Sequence, residues 1–547
     1  MSKNVLSEYK RWLEHEDLDL RLKKELIDME GDENAIYEAF YRNLDFGTSG
    51  LRGIMGAGTN RMNVNVVKWV SQGVSNYMKK NGVPKKAVVC YDSRKNSRFF
   101  AENTAAVLGA NGIKVYIYRD IMPVSACSYA VRHYGAGCGI MITASHNPKE
   151  YNGYKVYGSK GYQITGTVPE GILLETKKLD IFNDVNFIDF EKLLGEEIEY
   201  ISPEVEDRYV VDGFKCAPPL ADAGCLKVVY TPLHGSGNVP VQKILKLSGV
   251  GEMHVVRSQE SPDGDFPTCI LPNPEDPRVF ERGKRLCEEK ACDIILATDP
   301  DCDRIGLLQR TKEGYIRPSG NEIGLLLFDY ICKNTVLPKD PVLVTTIVSS
   351  DMVDKIAEEY KVQVERTLTG FKYIGERLEE LKERYIFGFE EGYGYLAGDF
   401  VRDKDGVSSA MLIAQMTAYH KERGKNLAEA MEELYQKYGY HEDKVIGFDF
   451  YGSAGAEKMA SIMRTLRESD NHWMKPIAQK KDYEDGEGLP AANVLEYKFY
   501  DGTRALIRPS GTEPKIKAYL FARGDDREKA MAKLEENEKN VRNILKI

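Results

Sequence analysis

Four short loops of this 547-residue chain carry residue types whose spacing supports chemistry. The first is Thr143-Ala144-Ser145-His146-Asn147-Pro148, which follows the apolar run Gly139–Ile142. A serine just past a strand end can reach a ligand, and Pro148 biases Asn147 away from helix. Taken alone, Ser-x-Asn-Pro is also ordinary turn chemistry. No GxSxG elbow surrounds Ser145, which argues against an acyl hydrolase. The second is Asp299-Pro300-Asp301-Cys302-Asp303-Arg304, after the apolar run Ile294–Ala297. In an extended segment, carboxylates at i, i+2 and i+4 share one side. Three such charges repel unless a cation joins them, and hard oxygen ligands suit Mg²⁺ or Ca²⁺. An EF-hand is rejected, because Arg304 stands at the sixth position and Arg310 at the twelfth. A solvated acidic turn is the plainer alternative.

The third loop is Gly388-Phe389-Glu390-Glu391-Gly392-Tyr393-Gly394. Its carboxylates can accept hydrogen bonds from vicinal sugar hydroxyls and do not attract phosphate. The fourth is Arg508-Pro509-Ser510-Gly511-Thr512-Glu513-Pro514. Arginine grips phosphate bidentately, and hydroxyls with successive backbone N–H groups form an anion nest. Read by itself, the third is at least as readily a polar turn, and the fourth is a credible Pro/Gly turn after a strand. No Walker A sequence and no GxGxxG after a strand occurs, so a nucleotide-driven kinase or nicotinamide dehydrogenase lacks its phosphate cradle.

The elements that must position these loops alternate between β-rich apolar runs and helical patterns. The runs are Ala87–Tyr91, Val115–Tyr118, Gly139–Thr143, Lys227–Tyr230, Ile294–Ala297, Val342–Val348 and Tyr385–Phe389, with helices such as Asn238–Leu247 and Asp351–Tyr360 between them. That alternation predicts α/β layers with mixed or parallel sheets, which bind ligands at the carboxyl ends of strands. The last hundred residues differ. Val494–Tyr500, Asp501-Gly502 and Arg504–Ile507 predict a hairpin with a type I′ turn, and a charged helix from about Asp526 follows. Residues 5 to 30 predict an amphipathic helix with Leu6, Trp12, Leu13, Leu18, Leu20, Leu22 and Leu26 among charges. Ser202–Asp212 and Tyr438–Asp443 read as linkers.

Hydrophobic residues make up 42% and charged residues 29%, an ordinary globular balance. The net charge of −9 comes without a long basic tract, so no nucleic-acid partner is expected. No apolar run is long enough for a membrane span, and no secretory signal is evident. Ten scattered cysteines without CxxC spacing predict reduced thiols in a cytoplasm and no zinc site.

Together the loops resemble the α-D-phosphohexomutase superfamily, and the resemblance spans nearly the whole chain. Phe46-Gly47-Thr48-Ser49-Gly50-Leu51-Arg52-Gly53 is similar to its N-terminal active-site segment. Thr143–Pro148, continued by Tyr151-Asn152-Gly153-Tyr154-Lys155, resembles its phosphoserine loop. Asp299–Arg304 resembles its metal loop, Glu390-Glu391 its sugar loop and Arg508–Thr512 its phosphate loop. Thr369-Gly370-Phe371-Lys372 and Asp403-Lys404-Asp405-Gly406 fit the bacterial branch that also resembles phosphopentomutases.

The resemblance implies an α/β protein of four domains around a central cleft: three related α/β domains with mixed sheets (1–205, 206–312, 313–438) and a C-terminal α+β domain (439–547). It implies reversible interconversion of glucose 1-phosphate and glucose 6-phosphate, through phospho-Ser145 and a sugar bisphosphate. Mg²⁺ would be held by Ser145, Asp299, Asp301 and Asp303, and glucose 1,6-bisphosphate would act as activator. Arg52, His146, Lys155, Arg304 and Lys404 would surround the transferring group. Lys155 and Lys404 are the acid/base candidates, since burial among cations lowers a lysine's pKa. Thr48, Ser49, Thr369, Gly370, Glu390, Glu391, Arg508, Ser510, Gly511 and Thr512 would bind substrate. Many members carry a serine where Gly392 stands, so pentose or mannose phosphate stays open as substrate. A metal-dependent sugar phosphatase, or a phosphosugar-binding protein, is the alternative from another class.

Overall fold

The computed structural model describes residues 3–44, 46–47, 50–216, 218, 222–450, 452–486, 488–509 and 515–545. The chain divides into two compact units. One comprises residues 1–317, 375–382 and 394–419, and the other 318–374, 383–393 and 420–547.

The first unit holds two mixed sheets. The six-stranded sheet runs in the order Gly50–Ile54, Tyr151–Gly158, Cys138–Ile142, Lys86–Tyr91, Lys114–Ile117, Ile198–Tyr200. Cys138–Ile142 is buried at every residue, which is why it reads as a continuous apolar run and not as an alternating one. It pairs in parallel with Lys86–Tyr91 and antiparallel with Tyr151–Gly158, placing Met141 opposite Lys155. Gly53 pairs with Asn152 and Arg52 with Gly153 on the other side of that strand. This register brings Arg52 and Lys155 to the sheet end from which the Ser145 loop leaves. The five-stranded sheet runs Gly314–Ile316, Ile305–Thr311, Ile294–Thr298, Lys227–Thr231, Glu252–Val255. Ile294–Thr298 and Ile305–Thr311 are antiparallel, with Ile305 opposite Thr298. Asp299–Arg304 is therefore a tight connection between two paired strands.

The second unit contains the parallel strands Gln363–Thr367, Val342–Thr346 and Tyr385–Glu390. Helix Gly320–Asn334 starts in a capping box, where Ser319 and Glu322 each accept the other's backbone N–H. The same unit ends in an antiparallel sheet ordered Tyr440–Asp449, Lys515–Gly524, Arg504–Pro509, Leu495–Phe499, Ile477–Asp482. Helix Arg527–Leu545 contributes Leu534, Val541, Ile544 and Leu545 to a core with Leu495, Tyr497, Ile507, Ala518 and Leu520.

Four local expectations are corrected. Residues 5 to 30 form two helices, Lys3–Glu14 and Leu20–Asp28, because Asp19 caps the second by accepting from Arg21 N and Leu22 N. Leu20 is consequently exposed. Pro203–Phe214 is a helix with Pro at its first position, so Ser202–Asp212 is no linker. Tyr440–Asp449 is a strand begun directly after helix Leu427–Tyr438. The hairpin turn is not type I′, which needs positive φ at two residues. Only Gly502 has it (φ +81°), and Gly502 N donates to Phe499 O at 3.0 Å. That is a three-residue loop with glycine in the left-handed position.

Candidate active site

Strand Cys138–Ile142 delivers its chain into a turn that folds back on itself. Thr143 Oγ1 accepts the Ser145 N–H at 2.8 Å, and Asn147 N donates to Ala144 O at 3.1 Å. Ser145 takes φ +51°, a left-handed conformation that costs a non-glycine residue roughly 1 kcal/mol or more. A Cβ on Gly153 would lie 2.5 Å from Thr143 O, so only glycine lets the neighbouring strand approach this closely. Ser145 is 3% exposed, and its Oγ donates to Asp299 Oδ2 at 2.9 Å. The same hydroxyl lies 3.1 Å from His146 Nδ1.

Asp299, Asp301 and Asp303 are all buried, and one oxygen of each lies within 4.8 Å of the others. The sequence reading placed them on an extended segment. The structure converges them by a turn instead, with Cys302 N on Asp299 O at 2.9 Å and Cys302 at φ +53°. Asp299 Oδ1 accepts from Asp303 N and Arg304 N, which tightens the loop around its first carboxylate. Neighbouring segments hold the loop's carbonyls: Ser236 N on Pro300 O, Val124 N on Asp301 O and Gly406 N on Cys302 O, at 2.8–2.9 Å. Asp301 Oδ1 and Asp303 Oδ1 are buried with no hydrogen-bond partner among the described residues. Buried carboxylate oxygens left in this state, in a cluster of hard donors, fit a divalent cation.

Two lysines offset part of the charge. Lys155 Nζ is 2.8 Å from Asp301 Oδ2 and 3.5 Å from Asp303 Oδ2, while Lys404 Nζ is 3.1 Å from Asp303 Oδ2. Burial pushes the Asp299 carboxyl well above the ordinary range, and Asp301 and Asp303 push it further. Burial also acts on Asp303, but Lys404, Lys155 and Arg304 outweigh it and hold that carboxyl low. Lys155 corrects an expectation. Burial pushes its ammonium down, yet Asp301 and Asp303 outweigh burial, and the net shift is upward. Its nearest neighbours are anions. Arg52 Nη1 donates to Asn147 Oδ1 at 3.1 Å, and Arg304 pairs with Glu275.

Buried aspartates fix the segment that carries Lys404. Asp403 Oδ2 accepts from Tyr157 OH at 2.7 Å and Gln163 Nε2 at 2.9 Å. Asp405 Oδ1 accepts from Ser125 Oγ and Tyr209 OH, both at 2.6 Å. A Cβ on Gly394 would meet Lys404 Cδ at 2.4 Å, so this glycine clears the path of the lysine stem.

In the second unit, Glu390 ends strand Tyr385–Glu390, and its Oε1 accepts Gly370 N at 2.8 Å. Gly370 (φ +117°), beside Thr369, is thereby tied to the sugar loop. Arg508 lies on strand Arg504–Pro509 opposite Lys517. Burial raises the Tyr519 hydroxyl pKa, Glu391 adds to the rise, and a hydrogen bond with Arg508 opposes it. Glu391 and Arg508 thus act in opposite directions on one buried tyrosine. Thr48, Ser49, Ser510, Gly511 and Thr512 lie outside the described residues.

Models of phosphoglucomutase/phosphomannomutase alpha/beta/alpha domains I, II and III match residues 43–181, 214–313 and 319–438, and the C-terminal domain model matches 455–538. A phosphoglucomutase of Staphylococcus haemolyticus (strain JCSC1435) is 34% identical over 506 residues, covering 89% of this chain and 92% of the relative. The chain belongs to the α-D-phosphohexomutase superfamily. The name its relatives carry is that of an isomerase, an intramolecular phosphotransferase. A putative phosphomannomutase from Thermus thermophilus shares the fold at TM-score 0.67 and 20% identity, covering 91% of this chain and 99% of that one. An N-acetylphosphoglucosamine mutase from Aspergillus fumigatus, solved with glucose 1,6-bisphosphate, does so at TM-score 0.50 and 14% identity over 99% of each chain.

Within the first unit the phosphoserine and metal loops converge: Ser145, Lys155, Lys404 and Arg304 approach the aspartate triad, with His146 on Ser145 and Arg52 on Asn147. The sequence reading missed Asp92 and Arg94, and gave Thr143 no role of its own within the serine loop. Thr143 Oγ1 lies 2.6 Å from Asp92 Oδ2 and 3.2 Å from Asp301 Oδ2, joining two loops distant in sequence. Asp92-Ser93-Arg94 also leaves the carboxyl end of a buried strand, Lys86–Tyr91, and that position was the available signal.

Proposed function

We propose that this chain interconverts α-D-glucose 1-phosphate and glucose 6-phosphate, with Ser145 as phosphate carrier. The observation that carries the reading is the 2.9 Å contact between Ser145 Oγ and Asp299 Oδ2, which sets a post-strand hydroxyl on a buried carboxylate triad. Relatives named phosphoglucomutase, at 34–36% identity over about nine-tenths of their length, support glucose as the sugar. Asp299, Asp301, Asp303 and the Ser145 side chain would hold Mg²⁺, which when bound supplies a Lewis acid for phosphoryl oxygens.

Phosphoryl transfer needs mainly positioning and charge neutralisation. Phospho-Ser145 gives its phosphoryl group to the free hydroxyl of a sugar monophosphate. The P–Oγ bond breaks, a P–O bond to the sugar forms, the hydroxyl proton passes to a base, for which Lys404 is the candidate, and the leaving Ser145 Oγ takes up a proton, for which Lys155, its ammonium favoured by Asp301 and Asp303, is the candidate acid. The bisphosphate turns around, and its other phosphate returns to Ser145. Arg52, His146 and Arg304 stabilise the charge on the moving group. Glu390 and Glu391 read the sugar hydroxyls in both orientations. Arg508, with Ser510, Gly511 and Thr512, holds the phosphate that is not reacting, and Thr48, Ser49, Thr369 and Gly370 complete the substrate contacts. The unbridged state of all ten cysteines supports a cytoplasmic setting. Among the described residues no helix is long and apolar enough to cross a membrane.

The test is Ser145→Ala in an assay coupled to glucose 6-phosphate, with free phosphate followed in parallel. Isomerisation disappears in the variant, and mass spectrometry of the unmodified chain finds a phosphate on Ser145. Full isomerisation by the variant would overturn the carrier role, and release of free phosphate without isomerisation by the unmodified chain would make it a phosphatase.

A further inference from the structure

Arg94 is 3% exposed and lies under the Ser145 turn. Its Nη1 donates to Pro148 O at 2.9 Å and Tyr151 O at 3.1 Å, and its Nη2 donates to Ser145 O and Asn147 O, both at 2.5 Å. The four N–H groups of the two terminal nitrogens thus answer four carbonyls of one loop. Asp92 faces Nε at 3.5 Å, and both side chains are sealed from solvent. Asp92 is itself fixed, accepting from Arg94 N at 3.0 Å and Ser97 Oγ at 2.8 Å, besides its contact with Thr143. The Phe266 ring lies 5.1 Å from the guanidinium carbon. Gly264 closes over the same segment, since a Cβ there would lie 2.4 Å from Lys95 N.

This arrangement has two consequences for Ser145. Its left-handed φ is unfavourable for a serine and persists only where the surroundings over-determine it. Four charge-assisted hydrogen bonds to the backbone carbonyls from Ser145 to Tyr151 do so. Each of those carbonyls also points at the guanidinium. In the trans peptide joining Ser145 to His146, the N–H must then point away from Arg94. Arg94 touches neither Ser145 Oγ nor the aspartate triad in any hydrogen bond described.

We propose that Arg94 is a positioning residue for phosphoryl transfer: with Asp92 as counter-ion, it holds the carrier turn in the one backbone geometry that sets Ser145 Oγ against the triad. The inference rests on Ser145 being the carrier. Lysine cannot replace it, because an ammonium has three donors and no plane from which to meet four carbonyls.

The experiment measures mutase kinetics of the full chain with glucose 1-phosphate, Mg²⁺ and saturating glucose 1,6-bisphosphate, for unmodified protein, Arg94→Lys, Arg94→Ala and Ser145→Ala. A misplacement of 1 Å costs on the order of 100-fold, so Arg94→Ala loses kcat on that scale while KM moves by less than about twofold. Arg94→Lys, which keeps the buried charge, loses kcat to a smaller degree, again without a change in KM. Millimolar guanidinium added to Arg94→Ala restores part of its kcat. Wild-type kcat in Arg94→Lys and Arg94→Ala overturns the inference. So does a loss of kcat matched by an equal loss of folded protein and unrelieved by guanidinium. If Arg94→Ala does not fold, Arg94→Lys decides alone by its kcat at unchanged KM. An active Ser145→Ala overturns the carrier reading itself, whereas an inactive Ser145→Ala beside a wild-type Arg94→Lys overturns only the role of Arg94.

Discussion

Asp301 places one carboxylate oxygen 2.8 Å from Lys155 Nζ and keeps the other buried without a hydrogen bond. Replacing it with asparagine retains the shape but removes a charge from the triad. Asp301→Asn is expected to raise the Mg²⁺ concentration for half-maximal rate and to lower kcat far more than it raises KM, as metal titrations of initial rate will show. Arg508 is expected to behave in the opposite way. A charge-assisted hydrogen bond is worth about 1.5–3 kcal/mol, so Arg508→Ala raises the KM for glucose 1-phosphate by roughly tenfold to a hundredfold. An unchanged KM would remove Arg508 from the phosphate site. Ser145 and the triad were legible in the sequence because a strand-end serine and closely spaced acids announce themselves by type. Arg94 and Asp92 were not, because Asp-Ser-Arg is an ordinary polar loop until its carbonyl partners, 51 to 57 residues away, are known.

Among the elements, strand Tyr440–Asp449 carries a carboxyl under tension. Burial pushes the Asp443 carboxyl up to about 7, with Glu322 and Glu442 adding to the rise, while a hydrogen bond with Asn321 and the charge of Arg504 oppose it. Its folded value thus lies above its unfolded one. The stability it contributes is full below the unfolded value near 3.8 and is lost as pH rises through about 7. Asp443→Asn removes that loss. It is expected to raise the unfolding temperature more at pH 8 than at pH 5, measured by calorimetry at both. An equal change at the two pH values would show that Asp443 ionises freely. The sequence located most strands and helices because buried runs and amphipathic periods are local signals. It misjudged Ser202–Asp212 because polar residues on a helix that presents Val205, Tyr209 and Val210 inward look like a linker when the inward face is sparse. It misjudged the Asp501-Gly502 turn because turn type depends on loop length, and Tyr500 belongs to the loop.

For the molecule as a whole, the proposed cycle returns Ser145 to its phosphorylated form only if the bisphosphate stays bound through its turnaround. Each escape leaves a dephosphorylated chain that cannot act on a monophosphate. Glucose 1,6-bisphosphate is therefore expected to raise turnover, most strongly on protein first stripped of phosphate. Equal initial rates with and without it on stripped protein would show that Ser145 need not be charged. The burial of Ser145 bears on where that phosphate comes from. A protein kinase must grip several residues of extended chain around its target hydroxyl. The Thr143–Pro148 turn offers none, being 3% exposed at the serine and anchored by its carbonyls to Arg94. On the proposed cycle, a protein kinase would first have to open this turn, and the fraction carrying phosphate would follow the small phosphate donors the chain has met.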